Sequence, residues 1–292
     1  MNLLFLGLLI KMQIKHHAGF YVIILCSAME SDLYLLIDDS HLMFHLLIKH
    51  FKINDKNTLT MESLHQKLDL FVIALDGPAG SGKSTIARQL SQMLKIEYID
   101  SGAIYRTFTL FGIKTFNGQC QGNEQKIAKH FKFHSDVLKI EYKDHTQKMI
   151  LMGDDVSAKI RTPEVTLQIK HIANNIECRE LVNQTIRETA RKYSVVIDGR
   201  DIGTIVFPDT PFKFYLDAKT EVRATRRALE MKIPTVGEQF NGLLTDIKRR
   251  DQEDITRTIG PLAIAKDATI IDTSELSIEQ VLLEIKQHLS KL

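Results

Sequence analysis

The chain has 292 residues, of which 44% are hydrophobic and 25% charged, and a formal net charge of +2. That length buries a sizeable core in one large domain, or in one domain with an appendage, and the near-neutral balance excludes the global basic field of a nucleic-acid binder. Cys26, Cys120 and Cys178 are widely spaced and odd in number; they make no metal-ligand pattern and no disulfide framework, which suits a reducing, cytoplasmic compartment.

Residues 2–10 (NLLFLGLLI) and Phe20 to Cys26 form two short apolar runs. Neither reaches the roughly 18 residues of a spanning helix, and the first lacks the charged flank and small-residue cleavage site of a signal peptide. No membrane span is expected, and a weak peripheral helix over residues 1–28 is the alternative. The polar stretch NDKNTLT (54–60) reads as a linker, and no arginine precedes Arg88. Two domains follow: an N-terminal extension, 1–60, and a functional domain, 61–292. The extension is either a helical or partly ordered appendage or a segment upstream of a start at Met61, and the second reading is preferred because the chemistry lies beyond residue 70.

From residue 71 apolar runs and amphipathic stretches alternate. Residues 71–76 read as a buried strand closed by a glycine turn. A helix over 83–94 places Ile86, Ala87, Leu90 and Leu94 on one face. A strand over 96–99 and a helix over 103–113 come next, then a hairpin from 138–142 and 148–151. Pro163, capped by Thr162, starts a helix, and another runs over 179–192. Strands at 194–197, 212–216 and 268–271 each end at an aspartate: Asp198, Asp217 and Asp272. Helices at 221–231, 240–251 and from Ser277 to 289 complete the pattern. Strands alternating with helices predict an α/β fold, a parallel sheet with helices on both faces. Ligands on such sheets sit at the carboxyl ends of the strands.

Gly77, Pro78, Ala79, Gly80, Ser81, Gly82, Lys83 and Ser84, followed by Thr85, spell G-x-x-x-x-G-K-[ST] between a strand and a helix. Glycines let successive backbone N–H groups face one anion, and the helix adds the positive end of its dipole. Lys83 reaches the β- and γ-phosphates, and the Ser84 hydroxyl ligates Mg²⁺. This predicts nucleoside-triphosphate binding. The chain has no N-K-x-D of a GTPase and no LSGGQ of a transporter ATPase.

Further anion-favouring groups recur along the chain. YIDSGAIYR (98–106) puts Ser101 and Gly102 where a strand meets a helix, with Arg106 one turn on. VVIDGRDIGTIVFPD (195–209) brings Asp198, Arg200 and Asp201 to a strand end. Arg223, Arg226 and Arg227 follow, then Arg249, Arg250, Asp254 and Arg257. Single arginines of this kind are often solvated surface groups. Their repetition beside a phosphate loop suits phosphoryl transfer, whose transition state spreads negative charge over oxygens shared by two phosphorylated substrates.

Over about residues 70–290 the chain resembles the bacterial cytidylate kinases. The resemblance rests on LDGPAGSGKST, YIDSGAIYR, VSAKIRTPEV, VVIDGRDIGTIVFPDTPFKFYLDA and RRDQEDITRTIGPL, in that order. It implies a P-loop NTPase-type five-stranded parallel sheet, a monophosphate-binding insert at about 114–180 and a lid at about 223–250. The implied reaction moves the γ-phosphoryl group of ATP to CMP or dCMP with Mg²⁺. Carried over residue by residue, Ser101 and Arg106 meet the CMP phosphate and sugar. Arg200 and Arg257, with Arg250, grip the phosphate, and Asp254 accepts a ribose hydroxyl. Asp201 and Arg179 read the cytosine edge, and Arg223 and Arg226 reach ATP. Lys83, Arg106, Arg200 and Arg257 are the implied catalytic set, and Asp198 holds Mg²⁺ through water. Two positions depart from the family pattern: Lys170 replaces a base-contacting serine, and Ile186 replaces a glutamine.

A small-molecule enzyme without nucleic-acid partners, monomeric and cytoplasmic, is therefore expected. Two alternatives are a broader pyrimidine monophosphate kinase and an inactive nucleotide-binding interaction protein.

Overall fold

The computed structural model describes residues 70–289 except 135 and 144, with 143 as backbone alone, and the backbone of the strands within residues 2–38. Two units divide the chain, residues 1–65 and 66–292. In the first, β1 (Asn2–Phe5), β2 (Leu8–His17), β3 (Phe20–Cys26) and β4 (Asp32–Asp38) form an antiparallel meander, in which Lys11 faces Cys26 and Phe20 faces Asp38. The helical reading of the extension is thus corrected to strand; leucine-rich runs of this length fit either period. The linker reading of 54–60 and the start at Met61 lie outside the described residues.

The second unit is built on a five-stranded parallel sheet. Its strands are β5 (Val72–Asp76), β6 (Glu97–Asp100), β10 (Val195–Asp198), β11 (Phe212–Asp217) and β12 (Thr269–Asp272), ordered β12-β11-β5-β10-β6. Side chains alternate across it, as the pleat requires. Ile73, Leu75, Val196, Phe214 and Leu216 point to one face and pack on α1 (Lys83–Leu94) and α8 (Ile278–Leu289) through Leu90 and Ile285. Ala74, Ile99, Val195 and Ile197 point to the other, against α2 (Ser101–Thr115) and α5 (Ile176–Ala190). Both faces are covered, which is why these strands are almost continuously apolar.

Between β6 and β10 the chain adds α3 (Glu124–Phe133), a small antiparallel sheet of β7 (Leu138–Lys143), β8 (Thr146–Leu151) and β9 (Asp154–Asp155), and α4 (Pro163–Ala173). Thr162 caps α4 by accepting the Val165 N–H, as its place before Pro163 predicts. The small sheet is tied to the large one where Gln147 Oε1 accepts the Asp100 N–H at 2.6 Å. Between β11 and β12 lie α6 (Thr220–Met231) and α7 (Glu238–Thr256). No helix among the described residues is long and apolar enough to cross a membrane.

Candidate active site

The chain leaves β5 at Asp76 and turns through residues 77–82 into α1. At Gly77, where φ is 145°, a Cβ would lie 2.1 Å from the Leu216 carbonyl oxygen, so only glycine passes beside β11. Lys83, 5% exposed, folds back over the turn: Nζ donates to the Pro78 carbonyl at 2.7 Å and to Ser81 Oγ at 3.4 Å. Burial and the nearby Arg200 guanidinium push its ammonium down to about 7, against the pull of Asp198, Asp76 and Asp254. An incoming anion restores that charge. Ser84 and Thr85 stand exposed at the start of α1.

Asp198, at the end of β10, is buried and accepts hydrogen bonds from three side chains. Ser84 Oγ donates to its carboxylate at 2.6 Å, Tyr98 OH donates to the other oxygen at 2.9 Å, and Ser101 Oγ donates to its backbone carbonyl at 2.6 Å. Burial, with Asp100 beside it, pushes its carboxyl up to about 6. A carboxylate and a hydroxyl side by side at the end of a phosphate loop suit Mg²⁺, which keeps most of its octahedral shell for water and phosphate oxygens. Among the described residues no cluster of three acidic, histidine or cysteine ligands offers a fuller cage.

A second set of the sequence-predicted residues is drawn from α2, α5 and the segment around β10 and α7. Arg106 Nη1 donates to Thr166 Oγ1 at 2.8 Å, and burial pushes its guanidinium down, with Arg161, Arg250 and Arg227 adding to the effect and Asp100 opposing it. Arg200 Nε donates to Asp254 at 2.9 Å, and Arg257 donates to the other Asp254 oxygen. Arg257 Nε is buried without a partner. Arg179 and Asp201, 3% and 5% exposed, form an ion pair, and Arg179 also donates to the Ala173 carbonyl. Burial pushes the Asp201 carboxyl up, while Arg179, Arg257 and Arg200 pull it down. The Arg179 guanidinium lies 5.4 Å from the centre of the Tyr105 ring, whose hydroxyl is buried and unpartnered.

The two helices between β11 and β12 bring more arginines to the loop. Arg223, 4% exposed, donates to the Ala79 carbonyl at 3.0 Å and in a fork to Asp251 at 2.6 and 2.9 Å, joining the phosphate loop to α7. Arg226 donates to Thr273, which in turn donates to the Ser81 carbonyl. Arg227 and Arg249 pair instead with Glu230 and Glu253 on exposed helix faces, and Arg250 is exposed.

Compared with known proteins, residues 73–291 match the family model described as cytidylate kinase. The chain belongs to the cytidylate kinase family. A cytidylate kinase from Caldicellulosiruptor bescii is 40% identical over 220 residues, covering 75% of this chain and 96% of the relative. Another, from Clostridium acetobutylicum, is 39% identical over 219 residues, covering 75% and 97%. The chain is therefore a kinase, and nothing in these likenesses favours a binding module without activity.

Of the two departures from the family pattern, Lys170 is exposed on α4 and Ile186 is 1% exposed in the core beneath α5. Asp76 stands at a strand end in the sequence reading, and Tyr98 and Asp251 fall within its characteristic stretches, but none of the three is given a role there. The structure puts Tyr98 on Asp198, Asp251 on Arg223, and Asp76 on the backbone amides of Ile202 and Gly203.

Proposed function

We propose that the chain transfers the γ-phosphoryl group of ATP to CMP or dCMP, giving ADP and CDP or dCDP, through the residues assembled above. The observation that carries this is that Asp198 joins the two sides: Ser84 Oγ of the phosphate loop donates to its carboxylate and Ser101 Oγ to its backbone carbonyl, each at 2.6 Å. Lys83 stands on the loop side of this link and Arg200 on the other, and the Arg200 charge acts on the Lys83 ammonium. Cations supplied from both sides suit a reaction between two phosphates, where charge must be neutralised as they approach.

In this reading residues 77–85 cradle the ATP phosphates, Lys83 bridges β and γ, and Arg223 and Arg226 of the lid (about 223–250) close on ATP. Ser84 and Asp198, the latter through water, hold Mg²⁺, which when bound neutralises charge on the phosphates. Ser101, Arg106, Arg200, Arg250 and Arg257 take the acceptor phosphate. Arg200 and Arg257 both rest on Asp254; their move to the phosphate releases Asp254 for the ribose. From the insert (about 114–180), Arg179 joins Asp201 at the cytosine edge, where an amino donor sits beside a ring acceptor. Uracil presents a carbonyl in place of the amino group and leaves Asp201 facing an acceptor. The acceptor is already a phosphate dianion, so catalysis is alignment and charge neutralisation with no general base. The working form is a cytoplasmic monomer, and residues 1–60 take no part in the reaction.

The test is binding of adenosine and cytidine joined by a pentaphosphate. The reading predicts affinity at least about 100-fold above that of ATP alone, lost in both Lys83→Ala and Arg200→Ala, because a linked ligand gains from two sites in line. Affinity no better than ATP would show that the two sites do not face one another.

A further inference from the structure

The turn that follows β10 has a capping problem. Residues 202–206 form one π-helical turn (Ile202–Val206), closed by the Phe207 N–H donating to the Ile202 carbonyl at 2.7 Å. Its first amides have no partner within the turn, as at any helical N-terminus. An aspartate in the capping position ordinarily accepts one of them, the second or the third. Asp201 occupies that position, yet its side chain makes no capping bond. Its carboxylate is turned to Arg179 instead.

Another strand supplies the missing acceptor. Asp76, 5% exposed at the end of β5, accepts the Ile202 N–H on one oxygen at 2.9 Å and the Gly203 N–H on the other at 2.7 Å. Gly203 admits this approach, since a Cβ there would already lie 3.3 Å from the Asp76 carboxylate and 3.2 Å from Lys213. The next residue after Asp76 is Gly77, where the phosphate loop begins.

We infer that Asp76 is a positioning residue: by capping the 202–206 turn in place of Asp201, it frees the Asp201 carboxylate for the acceptor base and ties the acceptor turn to the phosphate loop. This rests on the reading of Asp201 as the base-recognition carboxylate. Without Asp76 the buried Gly203 amide, the second of the turn, needs an acceptor, and the nearest of the right type by sequence is Asp201. Capping and base recognition then compete for one carboxylate.

The variant that exposes this competition is Asp76→Asn, the same shape with one acceptor oxygen replaced by an amino donor. The expected result is a CMP-over-UMP ratio of kcat/KM reduced at least about tenfold, with KM for CMP raised and the dissociation constant of ATP, measured without acceptor, changed less than about threefold. A merely structural role would lower activity on both acceptors alike. An unchanged CMP:UMP ratio in folded Asp76→Asn, alongside a reduced ratio in Asp201→Asn, overturns the role of Asp76 and leaves the base-recognition reading standing. An unchanged ratio in Asp201→Asn overturns both. Hydrogen exchange in the double variant Arg179→Met with Asp201→Ala, which leaves no side-chain acceptor at 201 and no stranded charge at 179, gives a measurement that does not depend on Asp76→Asn folding. The Ile202 and Gly203 amides are expected to stay as protected as in the parent protein, because Asp76 caps them; fast exchange at both would show that Asp201 was the cap.

Discussion

Asp201→Ala strikes the buried ion pair to which the proposed function assigns acceptor choice. Arg179 is 3% exposed, and apart from Asp201 its guanidinium donates to the Ala173 carbonyl. Removing Asp201 strands that charge, and breaking a buried pair from one side costs about 3–5 kcal/mol. In a unit of this size each kcal/mol lowers the midpoint of thermal unfolding by about 2–4 °C, so a fall of roughly 6–20 °C is expected. The same substitution removes a charged hydrogen-bond partner of the cytosine edge, a contact of about 1.5–3 kcal/mol, so the CMP-over-UMP preference should fall by roughly 10- to 150-fold. The double variant Arg179→Met with Asp201→Ala replaces both charges by apolar groups and should be more stable than Asp201→Ala alone. Urea unfolding of the three variants measures the first effect, and initial rates with CMP and UMP the second. If the single variant loses less than about 1 kcal/mol and the double is simply additive, the pair is not the buried, mutually dependent unit described here.

The remaining predictions concern the phosphate loop and the lid. Lys83→Ala should reduce turnover by at least about 100-fold while CMP still binds, since Lys83 acts on the triphosphate side; single-turnover rates and CMP titration separate the two. At pH 8 much of the free protein carries a neutral Lys83, its pKa being pushed down to about 7. ATP should restore the charge, so binding takes up protons above pH 7, and calorimetry in buffers of different ionisation enthalpy reads the number. The same depression means the unfolded chain binds more protons than the folded one between about pH 7 and the ordinary lysine range, so this group makes stability rise with pH across that window. Arg223→Ala should raise KM for ATP about tenfold or more and lower stability, because it removes the fork to Asp251 and the bond to the Ala79 carbonyl; equal KM values would remove Arg223 from ATP binding.

Some of this was legible in the residues and some was not, for physical reasons. The phosphate loop is written in its glycines: Gly77 must pass the Leu216 carbonyl, and no other residue fits. Buried strands such as VIALD and VVID show as short apolar runs ending in aspartate, and Thr162 before Pro163 announces a helix start. By contrast, α3 offers only Ile127, Ala128 and Phe131 as its buried stripe, too short a pattern to separate from a loop. Arg179 and Asp201 stand 22 residues apart on different elements, so their pairing was reached through family likeness and not through spacing. Tyr98 looks like any strand aromatic until its hydroxyl is found on Asp198. The capping duty of Asp76 depends on a turn more than 120 residues away. The leucine-rich N-terminal runs fit helix and strand equally in composition, and pairing between them decided for strand.

The most direct test of the central claim is ADP formation from Mg-ATP by the purified full chain, with CMP, dCMP, UMP, AMP and GMP offered in parallel. The account predicts fast turnover with CMP and dCMP and little with the other three. Equal turnover with UMP would contradict the Arg179–Asp201 assignment and direct attention to Lys170 and Ile186. No turnover with any acceptor, in protein that still binds ATP, would contradict the transfer reaction itself.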